Sequence, residues 1–577
     1  MHANLHPRSQ VDEFRRLGYW TDETIDGLFR ARVSERGDAL AIVDPANRRD
    51  LVGSEPRRLS WRELGAEVTH LAARLLDNGV RRGDVIGVQL PNTIELAQVY
   101  LAAWTIGAVV SPLAMQYREH EIITMAGTAR FDIMITSWRF MDRGPAQSVA
   151  AVAGQLPGVR RLIAFGDPQE APDRADRPES IVHVSPAAAG SADIARVSEH
   201  RRTHPNDPND CVTICWTSGT ESLPKGVMRA HYDWLAFSWA TVDAPRLTAD
   251  DVLLNPFPMI NMAGINGMLL PWLRTGAALV QHHPFDAKTF FAQIGGEGVT
   301  YTLAPPALMW TLLNNEDILS KIDLSRLTRV GSGSAPLQPA MVRGWQERLG
   351  IGVINFFGSN EGVGLLSSLE DFPDPETRAR FFPRYGTPGV KWSSRASEWT
   401  ELKLVDPLSG EVIDEPGLPG ELCIRGPQLF ARYVRGEELP DPFDEEGYLK
   451  TGDIFEIAGD GNQYLRYVDR AKDLIIRGGM NIAPAELEAM IIEHPAVLET
   501  AVIGDPDVVL GERVAAVVVL QPGASLTLGE LVAFLRSYKI ASYKLPERLH
   551  QVESLPRNPV GKVLKRDLRR RPEPESS

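Results

Sequence analysis

Cysteine is scarce in this 577-residue chain: there are three, Cys211, Cys215 and Cys423, each inside an apolar stretch. So few thiols exclude a disulfide-stapled secreted scaffold and point to a reducing compartment, with each thiol expected in a core and not on a metal or in catalysis. Cys211 and Cys215 are expected to share one face of a strand. Long hydrophobic runs are missing too. The most apolar window, "YLAAWTIGAVVSPLAM", is short and broken by Ser111 and Pro112, so no membrane-spanning helix is expected. The opening residues, "MHANLHPRSQVDEFRR", contain no apolar segment, so no secretory signal is expected and the location is read as cytoplasmic. Positive charge is in deficit, 61 Lys and Arg against 75 Asp and Glu, a net charge of -14. That balance argues against a general nucleic-acid or anionic-membrane binder, so a polyanionic ligand would have to be held locally. What remains is ordinary for a globular protein, 43% hydrophobic and 24% charged, in a chain long enough to need several cores.

Up to about position 200 amphipathic helices alternate with short apolar strands. "WRELGAEVTHLAARLLDNGV" has helical spacing, "DVIGVQL" reads as a strand and "IELAQVYLAAWTIG" as a helix, a pattern of α/β layers. From 166 to 210 the composition shifts to Pro, Asp, Ala and Ser, which predicts a surface excursion with no chemistry of its own. A second α/β stretch opens with "CVTICW" and runs to about 390, with strands expected at "DVLLNPF", "AALVQ", "GVTYTLA", "LTRVGSGSA" and "GVINFFG". After 400 short strands follow one another, predicting an antiparallel barrel or sheet. From 473 the pattern is compact α+β, which sets a boundary near 470.

"TSGTESLPKG" (217–226) directly follows the apolar strand: a small, hydroxyl-rich loop ending in a cation suits a phosphate group. It is not the GxxxxGK[ST] loop of P-loop enzymes, because Lys225 precedes a Gly with no helix-starting hydroxyl behind it. Four further stretches accompany it in order: "NFFGSNEG" (355–362), "GYLKTGD" (447–453), "YVDRAKDLIIRGGMNIAPAELE" (467–488) and "LPRNPVGKVLKRDL" (555–568). With these motifs nearly the whole chain resembles the adenylate-forming superfamily of acyl-CoA synthetases, aryl-acid activating enzymes, peptide-synthetase adenylation domains and luciferases.

The resemblance implies an α/β fold with a large N-terminal domain, residues 1–470, made of two α/β subdomains and a β-barrel-like one. A small mobile α+β domain, residues 471–577, would follow. The implied chemistry joins a carboxylic acid to the AMP portion of ATP with release of pyrophosphate, then transfers the acyl group to a thiol, with Mg²⁺ and coenzyme A as further requirements. Because one anion attacks another, catalysis is positioning plus charge neutralisation. Thr217, Ser218, Gly219, Thr220 and Lys225 would wrap the β- and γ-phosphates. Glu221 and Ser222 depart from the family's usual TSGTTGxPKG, and Glu221 is read either as close to the metal or as a solvated loop residue. Glu361 would ligate Mg²⁺ as a hard ligand, Phe357 would stack on adenine beside Gly358, and Asn360 stands where the family has a Thr that meets the α-phosphate. Gly333, Ser334, Ala335 and Pro336 would pass the adenine. Asp453 would accept both ribose hydroxyls and Arg470 would donate nearby. Lys562 would bridge the attacking carboxylate and the α-phosphate. Lys472 would be the hinge, and Gly478 and Gly479 would leave room for the pantetheine arm of CoA.

The acid pocket implied by the family lies along "NPFPMINMAGING" (255–267), the strand before "GSGSAP" and the residues around "FFGSNEGVG", which gives Asn261, Met262, Gly264, Ser332 and Gly362 as candidates. Asn261 replaces a common His, and its neighbours Met259, Ile260, Met262 and Ala263 favour a hydrophobic acyl or aryl group, fatty or aromatic. The segment has no Asp to pair a substrate ammonium, so amino-acid activation is disfavoured. The alternative is a stand-alone aryl-acid adenylating enzyme that loads a carrier protein, although no carrier domain is expected in the short stretch after Lys562. The adjacent pair His282 and His283 lacks further ligands at a metal spacing and is read as loop.

Overall fold

The computed structural model describes residues 4–170, 181–217, 224–407, 409–477, 480–507, 509–538, 540–557 and 563–569. The chain is divided into two compact units. The first takes the described residues up to Thr217 with Pro224–Glu401 and Arg425–Asp441; the second takes Leu402–Ile424 and those from Pro442 onward.

Two eight-stranded sheets build the first unit. One runs Gly364–Ser367, Gly352–Gly358, Arg329–Gly333, Tyr301–Leu303, Val252–Asn255, Ala278–Gln281, Leu40–Val43 and Arg58–Ser60, parallel except for its two antiparallel edges. The other runs Arg432–Tyr433, Gly226–Ala230, Cys211–Trp216, Val109–Pro112, Val85–Val88, Ile133–Ser137, Arg161–Phe165 and Ile181–Val184. The second strand runs antiparallel to both its neighbours, and all the others are parallel. Parallel strands need helical crossovers, which is why helices and strands alternate in this part of the sequence. The helix Ile94–Thr105 is buried along its whole length, Glu95 and Gln98 included, as expected of a helix with apolar residues all round. Helix Trp61–Asp77 contributes to the same core, where Trp61 stacks on Trp272 with ring centroids 4.7 Å apart.

Two local expectations fail. The stretch expected as a surface excursion contains an edge strand, Ile181–Val184, and a thirteen-residue helix, Ser191–Thr203. Val197 is that helix's one buried residue, so its sequence carries almost no apolar periodicity to read. Cys211 and Cys215 do not share a face. The pairing of their strand with Gly226–Ala230 shifts register between Cys211 and Thr213, and this irregularity sends Cys211 into one core cluster and Cys215 into another. All three cysteines are free and buried, and burial pushes the thiols of Cys215 and Cys423 up to about 12. His282 and His283 lie outside helix and strand but are buried, and His282 Nδ1 lies 2.7 Å from Gln293 Oε1 while its Nε2 accepts from Asp286 N at 3.0 Å.

In the second unit the antiparallel strands expected after residue 400 run in the order Tyr464–Arg470, Leu449–Ala458, Pro419–Arg425, Glu401–Val405 and Val412–Ile413. The C-terminal residues form a further sheet in which Val497–Asp507 and Gly511–Leu520 pair over their length, and the parallel strand Arg548–Gln551 joins Gly511–Leu520. Helices Pro484–Ile491 and Leu528–Ser537 bury Leu487, Ile491, Leu531 and Leu535 in its core.

One buried charge organises the first unit around its second sheet. Arg229, 0% exposed, bonds Asp233 Oδ1 through Nε at 2.5 Å, and donates to the backbone oxygens of Asn360 at 3.0 Å and Gln428 at 2.5 Å. The other oxygen of Asp233 accepts from Ala230 N at 2.8 Å and meets His6 Nε2 at 2.9 Å. Removing one member of a buried pair strands the other, so Asp233→Ala should lower stability by about 3–5 kcal/mol. Glu199→Ala, which breaks the exposed pair with Arg202, should cost under about 1 kcal/mol. Chemical denaturation of the two variants, compared by their midpoints, checks the contrast.

Candidate active site

Strand Cys211–Trp216 is buried throughout and ends where the hydroxyl-rich loop begins. Ser218, Gly219, Thr220 and Glu221 lie outside the described residues. The base of the loop is closed by two backbone-directed bonds: Thr217 N donates to Lys225 O at 3.0 Å, and Lys225 N donates to Thr217 Oγ1 at 3.2 Å. The amide of Thr217 is therefore taken, while its hydroxyl keeps a proton to donate. Lys225 pairs with no carboxylate among the described residues; its ammonium lies over the Tyr433 ring, 5.0 Å from the centroid.

At the hydroxyl end of that side chain stands Glu361. The Tyr433 hydroxyl donates to Glu361 Oε1 at 3.1 Å, and Glu361 O accepts from Phe430 N at 2.8 Å. Burial, then the neighbouring Glu361 carboxylate, pushes the Tyr433 phenol well above its ordinary value, so it stays protonated and donates. Glu361 sits in a tight turn. Ser359 N donates to Val363 O at 3.0 Å, and Gly362 has φ +98°, with a Cβ there falling 2.1 Å from Gln428 O. Gly362, expected in the acid pocket, thus serves the turn, since only glycine fits.

Asn360 is occupied. Its Oδ1 accepts from Met262 N at 2.8 Å and its Nδ2 donates to Trp216 O at 3.2 Å, which ties the strand before the hydroxyl-rich loop to the segment expected to line an acid pocket. Asn261 caps the short helix Met262–Gly264, accepting from Ala263 N at 3.1 Å and Gly264 N at 3.4 Å. A Cβ on Gly264 would fall 2.3 Å from Pro258 O, so this glycine too is dictated by a close backbone approach. Met262 is half-buried, and its Cε would lie 2.6 Å from a Cβ on Gly358. Met259 does not add to a soft pocket wall: it is 0% exposed, with its carbonyl accepting from Tyr100 Oη at 2.6 Å and its sulfur 3.6 Å from Gln281 Nε2. Directly after Gly264 the chain continues as a π-helical stretch, Ile265–Leu269.

On the first sheet, Ser332 is buried and gives its hydroxyl to Ala304 O at 2.8 Å, bracing two strands. A Cβ on Gly333 would fall 2.3 Å from Phe356 O, and the exposed residues Ser334, Ala335 and Pro336 follow, with Ser334 at φ +68°. Phe357 is half-buried beside Phe382, with ring centroids 5.8 Å apart.

The second unit carries its own constellation. Asp453 and Arg470 are register partners on adjacent antiparallel strands, with Arg470 Nε 2.9 Å from Asp453 Oδ1. The Thr451–Asp453 corner is held by Gly452 N donating to Glu421 Oε1 at 2.9 Å and Thr451 Oγ1 donating to Leu422 O at 2.7 Å, with Gly452 at φ +70°. Asp469, next to Arg470, accepts from Ala485 N at 2.8 Å. Lys565 Nζ bonds Glu488 Oε1 at 2.8 Å. Burial opposes the charge on Lys565, but Glu488 and Asp469 more than offset it and hold its ammonium above the ordinary lysine value. Lys562, Gly478, Gly479 and the side chain of Lys472 lie outside the described residues. Around Lys562, Arg557 and Val563 pair as a bridge and Leu564 N donates to Pro556 O at 2.8 Å, so this segment also springs from a closed base.

Among the described residues no group of three or more His, Cys, Asp and Glu side chains could hold a metal. Glu361 has one oxygen engaged by Tyr433 and no donor on the other among the described residues. A single carboxylate fits Mg²⁺ held mostly by phosphate oxygens and water. Sequence reasoning missed Tyr433, the Arg229 cluster and Lys565, because each acts through partners distant in the chain. Asn360→Ala would leave Met262 N and Trp216 O unpaired, so nucleotide-dependent activity should fall about tenfold or more. The apparent KM for ATP and for the acid should rise together; initial-rate kinetics in both substrates would check this.

The fold and these motifs have known counterparts. Residues 29–434 match the family model described as AMP-binding enzyme, and residues 486–562 match that of the AMP-binding enzyme C-terminal domain. Over 567 residues the chain is 30% identical to the medium-chain fatty-acid–CoA ligase of Escherichia coli (strain K12), covering 97% of this chain and 93% of that protein. It is also 30% identical over 526 residues to 4-coumarate-CoA ligase 1 of Narcissus pseudonarcissus, covering 90% of each. The solved structure of ATP-bound MatB from Rhodopseudomonas palustris superposes with a TM-score of 0.74 at 26% identity, covering 95% of this chain and 98% of that one. Among the described residues no helix is long and apolar enough to cross a membrane. The chain belongs to the AMP-binding enzyme family, within the adenylate-forming superfamily.

Proposed function

We propose that this protein is an AMP-forming acid–CoA ligase for a hydrophobic carboxylic acid. The observation that carries this reading is the trio of Lys225, Tyr433 and Glu361, in which one aromatic side chain meets a cation at its ring face and a carboxylate at its hydroxyl, next to the hydroxyl-rich loop. In the first half-reaction an oxygen of the acid attacks the α-phosphorus of ATP, the bond to the β-phosphate oxygen breaks, and pyrophosphate leaves. Lys225 and the Thr217 hydroxyl bind the departing phosphates. Lys562 neutralises the two anions that must meet, and Asp453 and Arg470 orient the ribose. Glu361 would hold Mg²⁺, which supplies charge neutralisation on the phosphates when bound. In the second half-reaction the thiol of CoA attacks the acyl carbon, the bond to AMP breaks, AMP leaves and the thiol proton passes to solvent. Residues 1–470 would hold acid and nucleotide, and residues 471–577 would carry Lys562 and alternate between the two half-reactions about Lys472, with Gly478 and Gly479 along the thiol's path. Three free buried thiols suit a cytoplasmic setting.

Half-buried Met262 and the absence of an acidic residue from 255 to 267 support an uncharged acyl or aryl group. With the full chain, ATP and Mg²⁺, a panel of octanoate, decanoate, cinnamate, 4-coumarate, benzoate and malonate should release pyrophosphate with at least one hydrophobic acid and not with malonate. Added CoA should be consumed into a thioester; an acyl-adenylate that persists in the presence of CoA would favour carrier loading instead, and no pyrophosphate with any hydrophobic acid would overturn the reading. Lys562→Ala should slow pyrophosphate–ATP exchange by about 10²- to 10³-fold while leaving nucleotide binding intact.

A further inference from the structure

Tyr433 lies on the two-residue strand Arg432–Tyr433, and its pairing places it opposite Val227, two residues beyond Lys225. Val434 N donates to Gly226 O at 2.8 Å, which locks the register. The same segment reaches the Glu361 turn through Phe430, whose N–H bonds Glu361 O and whose ring lies 4.8 Å from that of Tyr433. Tyr433 therefore bridges the exit of the phosphate loop and the acidic turn, and its side chain meets the charged group of each. Its ring faces the Lys225 ammonium, and its hydroxyl bonds Glu361. Lys225 and Glu361 form no ion pair with each other among the described residues. Phenylalanine would fill the same space and face the same ammonium, so packing alone accounts for a ring at 433 but not for its hydroxyl.

We infer that Tyr433 is a positioning residue that keeps Lys225 and Glu361 apart and oriented, so that the ammonium stays available to a triphosphate and the carboxylate to its divalent cation. A lysine and a glutamate at one loop root would otherwise neutralise each other, which would weaken both functions. An aromatic face satisfies the cation without neutralising it, and a hydrogen bond to one carboxylate oxygen sets the rotamer while leaving the second oxygen to the metal. The assignment rests on the proposed roles of Lys225 and Glu361.

Two variants separate the two halves of this assignment. Tyr433→Phe keeps the ring and removes the hydroxyl; Tyr433→Leu removes both. Binding of α,β-methylene-ATP to the full-length protein is measured by calorimetry without divalent cation, and binding of Mn²⁺ to the protein with that analogue by electron paramagnetic resonance. Tyr433→Phe should weaken Mn²⁺ binding about tenfold and leave metal-free analogue binding unchanged. Tyr433→Leu should weaken both. On a Glu361→Gln background Tyr433→Phe should have no further effect on Mn²⁺. A general loss of structure would weaken both constants together, so in Tyr433→Phe the ratio of the two carries the test, and in Tyr433→Leu the losses count for the inference only with a denaturation midpoint equal to that of Tyr433→Phe; losses that track a lowered midpoint overturn the Lys225 half. An unchanged Mn²⁺ constant in Tyr433→Phe, or an equal loss in both constants, overturns the Glu361 half; an unchanged metal-free constant in Tyr433→Leu overturns the Lys225 half. Wild-type protein that binds no analogue and releases no pyrophosphate sinks the ligase reading itself, whereas wild-type protein that does both alongside an indistinguishable Tyr433→Phe sinks this inference alone.

Discussion

A guanidinium with no access to water has to be surrounded by acceptors, and the demands of Arg229 set much of the geometry of the first unit. Its partners are the Asp233 carboxylate and the carbonyls of Asn360 and Gln428, on segments far apart in sequence. Each is drawn to a fixed distance because an unmet donor in that interior would cost more than the bond returns. Glu361 follows Asn360 directly, Tyr433 follows Gln428 by one short segment, and Lys225 immediately precedes the strand Gly226–Ala230 that carries Arg229. The chemistry-bearing side chains are thus placed at one remove, by a charge that touches none of them. The ring of Trp234, 4.0 Å from the guanidinium, closes the face that hydrogen bonds leave open.

From the same cluster the restraint reaches the N-terminal residues. His6 reaches the outer oxygen of Asp233, and His6 N donates to Asn209 Oδ1 at 2.8 Å, just ahead of the strand Cys211–Trp216. Trp20 stacks on Tyr232 with ring centroids 4.5 Å apart and an interplanar angle of 6°. These first residues belong structurally to the base of the candidate site, although nothing in their own sequence suggests it. In both units a closed backbone base precedes the segment assigned to chemistry: Thr217 with Lys225 in one, Arg557 with Val563 and Pro556 with Leu564 in the other.

Much of the α/β architecture was legible in the sequence, since buried strands such as Val85–Val88 and Cys211–Trp216 read as short apolar runs and helix Trp61–Asp77 as a 3.6-residue repeat. Helix Ser191–Thr203 was hidden, because burying one residue needs no stripe. The faces of Cys211 and Cys215 were misread because a register shift is a property of two strands and leaves no mark on one. Lys225, Glu361, Asp453 and Arg470 were singled out from the sequence because phosphate, metal and ribose, the groups that the resemblance implies, each demand a particular functional group. Asn360 could be found but not its employment, since both amide groups are committed to backbone atoms of Trp216 and Met262.

The amino-acid order alone therefore settled the family, the layered α/β architecture and the residue types able to handle a triphosphate, because those depend on local periodicity and on functional groups at characteristic spacings. Only the folded chain decided which of these groups remain available. Tyr433 between Lys225 and Glu361, Asn360 bound to two strangers in sequence, and the glycines at 264 and 362 forced by carbonyls of other segments are all outcomes of close approach between distant parts of the chain. Contact of that kind is set by packing in three dimensions, where no single stretch of residues carries the information.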